Sequence, residues 1–267
     1  MVFTEEDEKR HSSTKNCHIC DKILNGDKVR DHCHITGKYI GPAHYDCNIN
    51  RKYKNYKIPV FIHNCKGYDS HLIISSLIHF NDIKKIKVFP KTEEKYITFE
   101  FGKLKFVDSL SFMNKSLDKL VENLRNGDKY DMANFKHTIK YFKEKYPSLT
   151  DEQLKLVLKK GEFPYEYITD NSKFNEISLP AKEWFNSKLT PLDLTKKKDV
   201  EQLEKKHNNA KKVWDTFNIK KLGEYTDLYL TLDVLLLTDV FENFRSFCLS
   251  NYELDPAYYL TAPWMHF

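Results

Sequence analysis

Some of the residues best equipped for chemistry lie near the start of the chain. Cys17 and Cys20 form a C-x2-C pair, and His44 and Cys47 form an H-x2-C pair separated from it by 23 residues. Thiolates and an imidazole at that spacing close a loop around one ion, so the two pairs are expected to hold a tetrahedral structural zinc. Between them runs Asp31-His32-Cys33-His34, and Asn48 directly follows the second pair. Carboxylate and amide oxygens suit a hard cation such as magnesium or manganese. A neutral imidazole beside them can accept a proton near neutral pH. The alternative is a zinc knuckle that only grips nucleic acid.

Two further groupings lie outside this stretch. Asn64, Tyr68 and Asp69 follow the apolar run Ile58–Ile62 (IPVFI). Tyr229 and Asp233 are four residues apart in a long apolar-periodic segment, so on a helix they share a face. Alone, that pair is equally well a buried tyrosine beside a satisfied acid. Ser116 and Leu117 open another helical pattern, where an N-cap serine accounts for them.

The elements that must position these groups can be read from periodicity. IPVFI is a short strand, and SHLIISSLIHF (70–80) then reads as a helix. KKIKVF, KYITFEF and LKFVDSL follow as three strands, rich in β-branched and aromatic residues. Thr150 with Asp151 and Glu152 opens a helix expected to run to Gly161. The stretch 161–192 holds Pro164, Pro180 and Pro191 and reads as loop. Lys196–Lys212 is a charged helix, and Glu224–Asn251, without Pro or Gly, a long and largely buried one. Residues 17–50 lack apolar periodicity, so metal must supply much of their stability. Residues 1–16 read as a solvated polar tail.

These motifs resemble known families. CxxC…DHxH…HxxCN is similar to the ββα-metal core of recombination endonuclease VII and its relatives, although His44 stands where that family usually has Cys. The resemblance implies that Asp31 and Asn48 hold a magnesium ion on the scissile phosphate. It makes His32 the general base, supported by His34. IPVFIHNxxGYDxHL resembles the second exonuclease motif of family B DNA polymerases, with Asp69 on metal and Asn64 and Tyr68 at the primer strand. Tyr229 and Asp233 resemble the third such motif, and Ser116-Leu117 a motif that protein-primed members use on single-stranded DNA.

In this order the pieces resemble the protein-primed family B polymerases of transposons, linear plasmids and viruses. The implied architecture is mixed α/β (α+β). A polar tail (1–16) and an endonuclease VII-like zinc module (17–57) precede a partial, ribonuclease H-like exonuclease domain (58–267). The D-x-E motif expected before Cys17 and the palm motifs expected after Phe267 are not in the sequence, so a fragment that does not polymerise DNA is expected. A free-standing endonuclease and a non-catalytic nucleic-acid binder are the other readings.

The resemblance implies DNA as the partner, a single strand or primer end, with the rest of the polymerase or a terminal protein as further partners; charge alone suits either a phosphate backbone or a lysine-rich soluble surface. Net charge is +5, and residues 11–70 carry ten Lys/Arg against five Asp/Glu. Arg51 and Lys52 sit in this basic stretch and are candidate phosphate ligands. No apolar run approaches the roughly 20 residues of a membrane span. Clustered Cys and His point to an intracellular, reducing compartment, with nucleus, mitochondrion and virus-infected cell equally compatible.

Overall fold

The computed structural model describes residues 1–33, 36–50, 57–66, 68–77, 79, 86–90, 92, 96–126 and 130–265. His34, Arg51 and Lys52 therefore lie outside the described residues. The chain is mixed α+β and divides into two compact units, Met1–Lys57 and Ile58–Phe267. Among the described residues no helix is long and apolar enough to cross a membrane.

In the first unit, helix α1 (Glu5–Ser13) occupies most of the expected polar tail, which corrects that reading. Its cause is local. The Thr4 hydroxyl accepts the Asp7 N–H (3.2 Å), and the Asp7 carboxylate accepts the Thr4 N–H (3.0 Å), a reciprocal cap. Acidic side chains fill the first turn and Arg10 and His11 the last, as the helix dipole favours. Phe3 meets Tyr39 edge-on at 5.0 Å, and His11 Nδ1 bonds the Tyr39 hydroxyl at 2.9 Å. Strands β1 (Lys28–His32) and β2 (Tyr39–His44) pair antiparallel and lead into helix α2 (Tyr45–Ile49), which packs on both. This is a ββα order.

The second unit holds a four-stranded sheet in the order β3-β6-β5-β4, built from β3 (Ile58–Ile62), β4 (Ile86–Pro90), β5 (Tyr96–Phe101) and β6 (Leu104–Asp108). β3 runs parallel to β6, and the other pairs are antiparallel. Helix α3 (Asp69–Leu77) follows β3. Helices α4 (Leu117–Leu124), α5 (Lys136–Lys145), α6 (Asp151–Leu154), α7 (Lys197–Thr216) and α8 (Leu222–Tyr252) complete the unit. Helix α6 is shorter than expected. A capping box between Thr150 and Gln153 starts it, but the chain tightens into a 3-10 turn at Lys155–Val157. That turn sends Leu154, Val157 and Leu158 together into the core, all at 0% exposure. The core is centred on α8, whose Phe241 packs at 4.0 Å on Phe61 of β3.

Asp239 of α8 is a buried carboxylate with a folding role. It accepts the backbone N–H groups of His137 (2.8 Å) and Thr138 (2.9 Å) and the Thr138 hydroxyl (2.6 Å). It thus satisfies the first turn of α5, whose preceding residue Phe135 has no capping side chain. Asp239→Ala strands two buried donors and a part-buried one and is expected to cost about 2–4 kcal/mol in urea unfolding, with the slope m unchanged. A variant as stable as wild type would show that the carboxylate is dispensable to the α5–α8 junction.

Candidate metal centre and carboxylate site

The ligand atoms of Cys17, Cys20, His44 and Cys47 all lie within 4.8 Å of one another. His44 Nδ1 is 3.4 Å from Cys20 Sγ and 3.8 Å from Cys47 Sγ. Around a tetrahedral zinc with ordinary bond lengths, such edges are about 3.6 Å. The other ring nitrogen, Nε2, donates to the Ile23 carbonyl at 3.0 Å, with Asp27 at 3.9 Å. That bond fixes the tautomer and leaves the Nδ1 lone pair facing the sulfurs. The four residues can hold a metal such as zinc.

The Ile23 carbonyl raises His44 to about 9, so without a metal the ring holds a proton, which a metal at Nδ1 must displace. Burial pushes the Cys17 thiol up, but hydrogen bonds from the His44, Cys20 and Ile19 backbone and the Cys20 thiol outweigh it and bring it down to about 6. The hydrogen bond to Cys20 and burial push Cys47 up to about 11. Crowded thiols resist sharing more than one negative charge unless a cation joins them.

Asp31 lies on β1 at 2% exposure, its Oδ2 2.8 Å from His18 Nε2. The sequence reading missed His18, which sits inside the C-x2-C pair. Gly41 makes room for it, since a Cβ there would lie 3.0 Å from the His18 ring. His32 is half-buried on β1, its Nδ1 3.5 Å from the Arg30 carbonyl. Asn48 is on α2. Asp31 and His32 thus share one strand, and Asn48 belongs to the helix packed against it.

In the second unit the turn after β3 is fixed by Asp108, at the end of β6. This buried carboxylate accepts the N–H groups of Asn64 (2.9 Å), Lys66 (3.3 Å) and Leu110 (2.9 Å). Asn64 adopts a left-handed backbone (φ 61°), which Asn tolerates better than most residues. Its side chain and those of Tyr68 and Asp69 are exposed. Ser116 caps α4, its hydroxyl accepting the Lys119 N–H at 3.4 Å, and Leu117 is buried in the core. These two positions have folding roles, and the DNA contact implied for Leu117 has little exposed surface to use.

Tyr229 and Asp233 sit one turn apart on α8. The Tyr229 hydroxyl hydrogen-bonds the Tyr165 hydroxyl, and Phe163 stacks on its ring at 4.8 Å. Gly161 allows the close approach, because a Cβ there would lie 2.9 Å from Tyr229 Cδ2. Asp233 Oδ1 is buried without a hydrogen-bond partner. Lys160 Nζ stands 3.9 Å from Oδ2. Burial raises Asp233 above the usual carboxylate range, and Lys160 and then Tyr229 pull it back. Burial, then the Tyr165 hydrogen bond, also raises Tyr229. Lys160, missed in the sequence, had no signal beyond its place in a lysine-rich stretch. Among the described residues neither Asp69 nor Asp233 joins two other Asp, Glu, His or Cys side chains at ligand spacing. A two-ion magnesium site does not fit these residues.

Residues 49–265 match the family of DNA polymerases described as type B, organellar and viral. No curated protein and no solved structure matches the chain.

Protein purified without chelator is expected to carry one tightly held divalent metal ion per chain, lost in the Cys17→Ser/Cys20→Ser variant. Hydrogen exchange in that variant should accelerate over residues 17–50 and stay slow in α8. Elemental analysis that finds no metal in the wild-type protein would end this assignment.

Proposed function

The chain belongs to the organellar and viral type B DNA polymerases, a family of DNA replication, and on that footing we propose that residues 58–267 form part of a ribonuclease H-like 3′-5′ exonuclease domain that holds the end of a single DNA strand. The observation that carries this reading is the Tyr229–Asp233 pair on α8, with Lys160 beside the carboxylate and one buried carboxylate oxygen left open. An acid that is half-buried and incompletely paired belongs to a functional site more often than an exposed or saturated one. Asn64, Tyr68 and Asp69, exposed after β3, are the companion groups for the strand. In this reading the chain is related to the protein-primed members of the family. Two carboxylates, Asp69 and Asp233, supply fewer oxygens than two hard ions require. The chain therefore binds a strand end without shortening it.

The metal held by Cys17, Cys20, His44 and Cys47 is zinc in this proposal, because a thiolate-rich tetrahedral set selects it. The zinc unit is an endonuclease VII-like module. A second reading, a magnesium- or manganese-dependent endonuclease, is favoured by one observation. Asp31 is buried and oriented by His18 on the strand that carries His32, and α2 with Asn48 packs against that strand.

A 5′-labelled single-stranded oligonucleotide with magnesium tests the first reading. The expected result is binding, weakened in Tyr68→Ala, with no 3′ shortening. Shortening by wild type that disappears in Asp69→Ala would overturn the strand-holding reading and show a complete nuclease. A supercoiled plasmid tests the second. Nicking that needs magnesium or manganese and falls at least about 100-fold in His32→Ala is expected of a general base. Equal nicking by both proteins would remove His32 from that role.

A further inference from the structure

A polar cleft of about 540 Å³ opens between α4 and α7, floored by residues 159–162. That is ample room for a nucleotide-sized ligand. Arg125, Lys159, Lys160 and Lys205 supply its cations, and Asp118, Glu122 and Glu162 its anions. Several of these charges are already engaged elsewhere. Glu122 pairs with Lys119 at 2.6 Å, and Lys160 with Asp233 at 3.9 Å. The Arg125 guanidinium lies 4.6 Å over the Tyr130 ring. The Lys159 and Lys205 ammonium groups make no hydrogen bond and no ion pair among the described residues; Lys159 is half-buried and Lys205 exposed. For Lys159, a half-buried ammonium without a partner is costly to hold.

Two further facts point to an anion. Burial lowers the Lys159 ammonium below its ordinary value, and Arg125, Lys205 and Lys212 lower it further, with Glu162 alone opposing. Burial raises the Glu162 carboxyl, which favours its neutral form and weakens it as a counter-charge. An anion seated between Lys159 and Lys205 would relieve the repulsion.

We propose that this cleft binds the phosphodiester backbone of single-stranded DNA, with Lys159 and Lys205 as the phosphate ligands. Lysine suits this task, as a point charge that grips phosphate without reading bases. The assignment to a strand rather than a free nucleotide rests on the strand-end reading above. Lys160 lines the cleft and also pairs with Asp233, so the two places share a wall. A strand whose end lies at Tyr229 and Asp233 would run past Lys160 into this cleft.

The test is fluorescence anisotropy of a labelled dT12 oligonucleotide between 50 and 200 mM salt, with divalent metal omitted so that nothing is cut. The proteins compared are wild type, Lys159→Gln/Lys205→Gln, Lys205→Gln alone, and Lys197→Gln/Lys198→Gln as a charge-matched control. Lys205 is exposed, so its single variant keeps the fold. Loss of two phosphate contacts should lower the slope of log K against log salt by about 1.4 and weaken binding roughly tenfold or more at 50 mM salt. The single variant should lose about half that slope, and the control should match wild type. A cleft variant indistinguishable from the control, with wild type still binding, overturns the cleft and leaves the strand-end reading standing. Wild type that does not bind dT12 overturns both. Displacement of dT12 by a deoxynucleoside monophosphate at equal phosphate concentration would assign the cleft to a free nucleotide instead.

Discussion

Helix α8 carries buried side chains at Leu222, Tyr225, Leu228, Leu232, Leu236 and Val240, a stripe that recurs every three or four residues. At 1.5 Å per residue the helix is about 46 Å long, and α4 and α5 pack along it. Its Phe241 meets the sheet through Phe61. Tyr229 and Asp233 ride on the same helix as this stripe. Their spacing is therefore inherited from core packing. A substitution that rotates α8 to refill a cavity turns the tyrosine and the carboxylate by the same angle, so stability and site geometry are hard to separate here.

The first unit is held by another means. Its buried apolar side chains among the described residues are Cys17, Tyr39, Pro42 and Ala43. So small a set cannot offset the chain entropy of some fifty residues. The Cys/His cluster joins the C-x2-C turn to the end of β2 and to α2, so a cation bound there would tie together segments far apart in sequence. Local capping at Thr4 and the aromatic contact of Phe3 with Tyr39 add a helix that needs no core of its own.

What could be read from the sequence follows from what leaves a periodic trace. The length of α8, the strands of the sheet and the four metal ligands are visible as an uninterrupted apolar period, alternation and paired spacing. The Ser116 cap was readable for the same local reason. Helix α1 was missed although Thr4 and Asp7 stand at capping-box spacing, because Asp replaces the usual Glu or Gln and no apolar run follows. The early end of α6 was invisible because tertiary packing of Val157 and Leu158 decides it. His18 with Asp31, and Lys160 with Asp233, join residues 13 and 73 positions apart. No short motif encodes contacts at that range.

Three acids of the second unit, two buried and one half-buried, show why spacing alone could not sort function from folding. Asp108, Asp233 and Asp239 all sit beside apolar residues and read alike in sequence. In the structure, Asp108 and Asp239 have both oxygens occupied by N–H or O–H donors, and each fixes a turn or a helix start. Asp233 has one oxygen with no partner and a lysine 3.9 Å from the other. A protein gains nothing in stability by leaving a buried carboxylate half-paired, since desolvation disfavours its charge. The saturated acids are explained by the fold they hold. Asp233 is not: burial works against its charged form, and Lys160 and then Tyr229 favour it. Of these three acids, Asp233 is the one whose pairing the fold leaves unfinished.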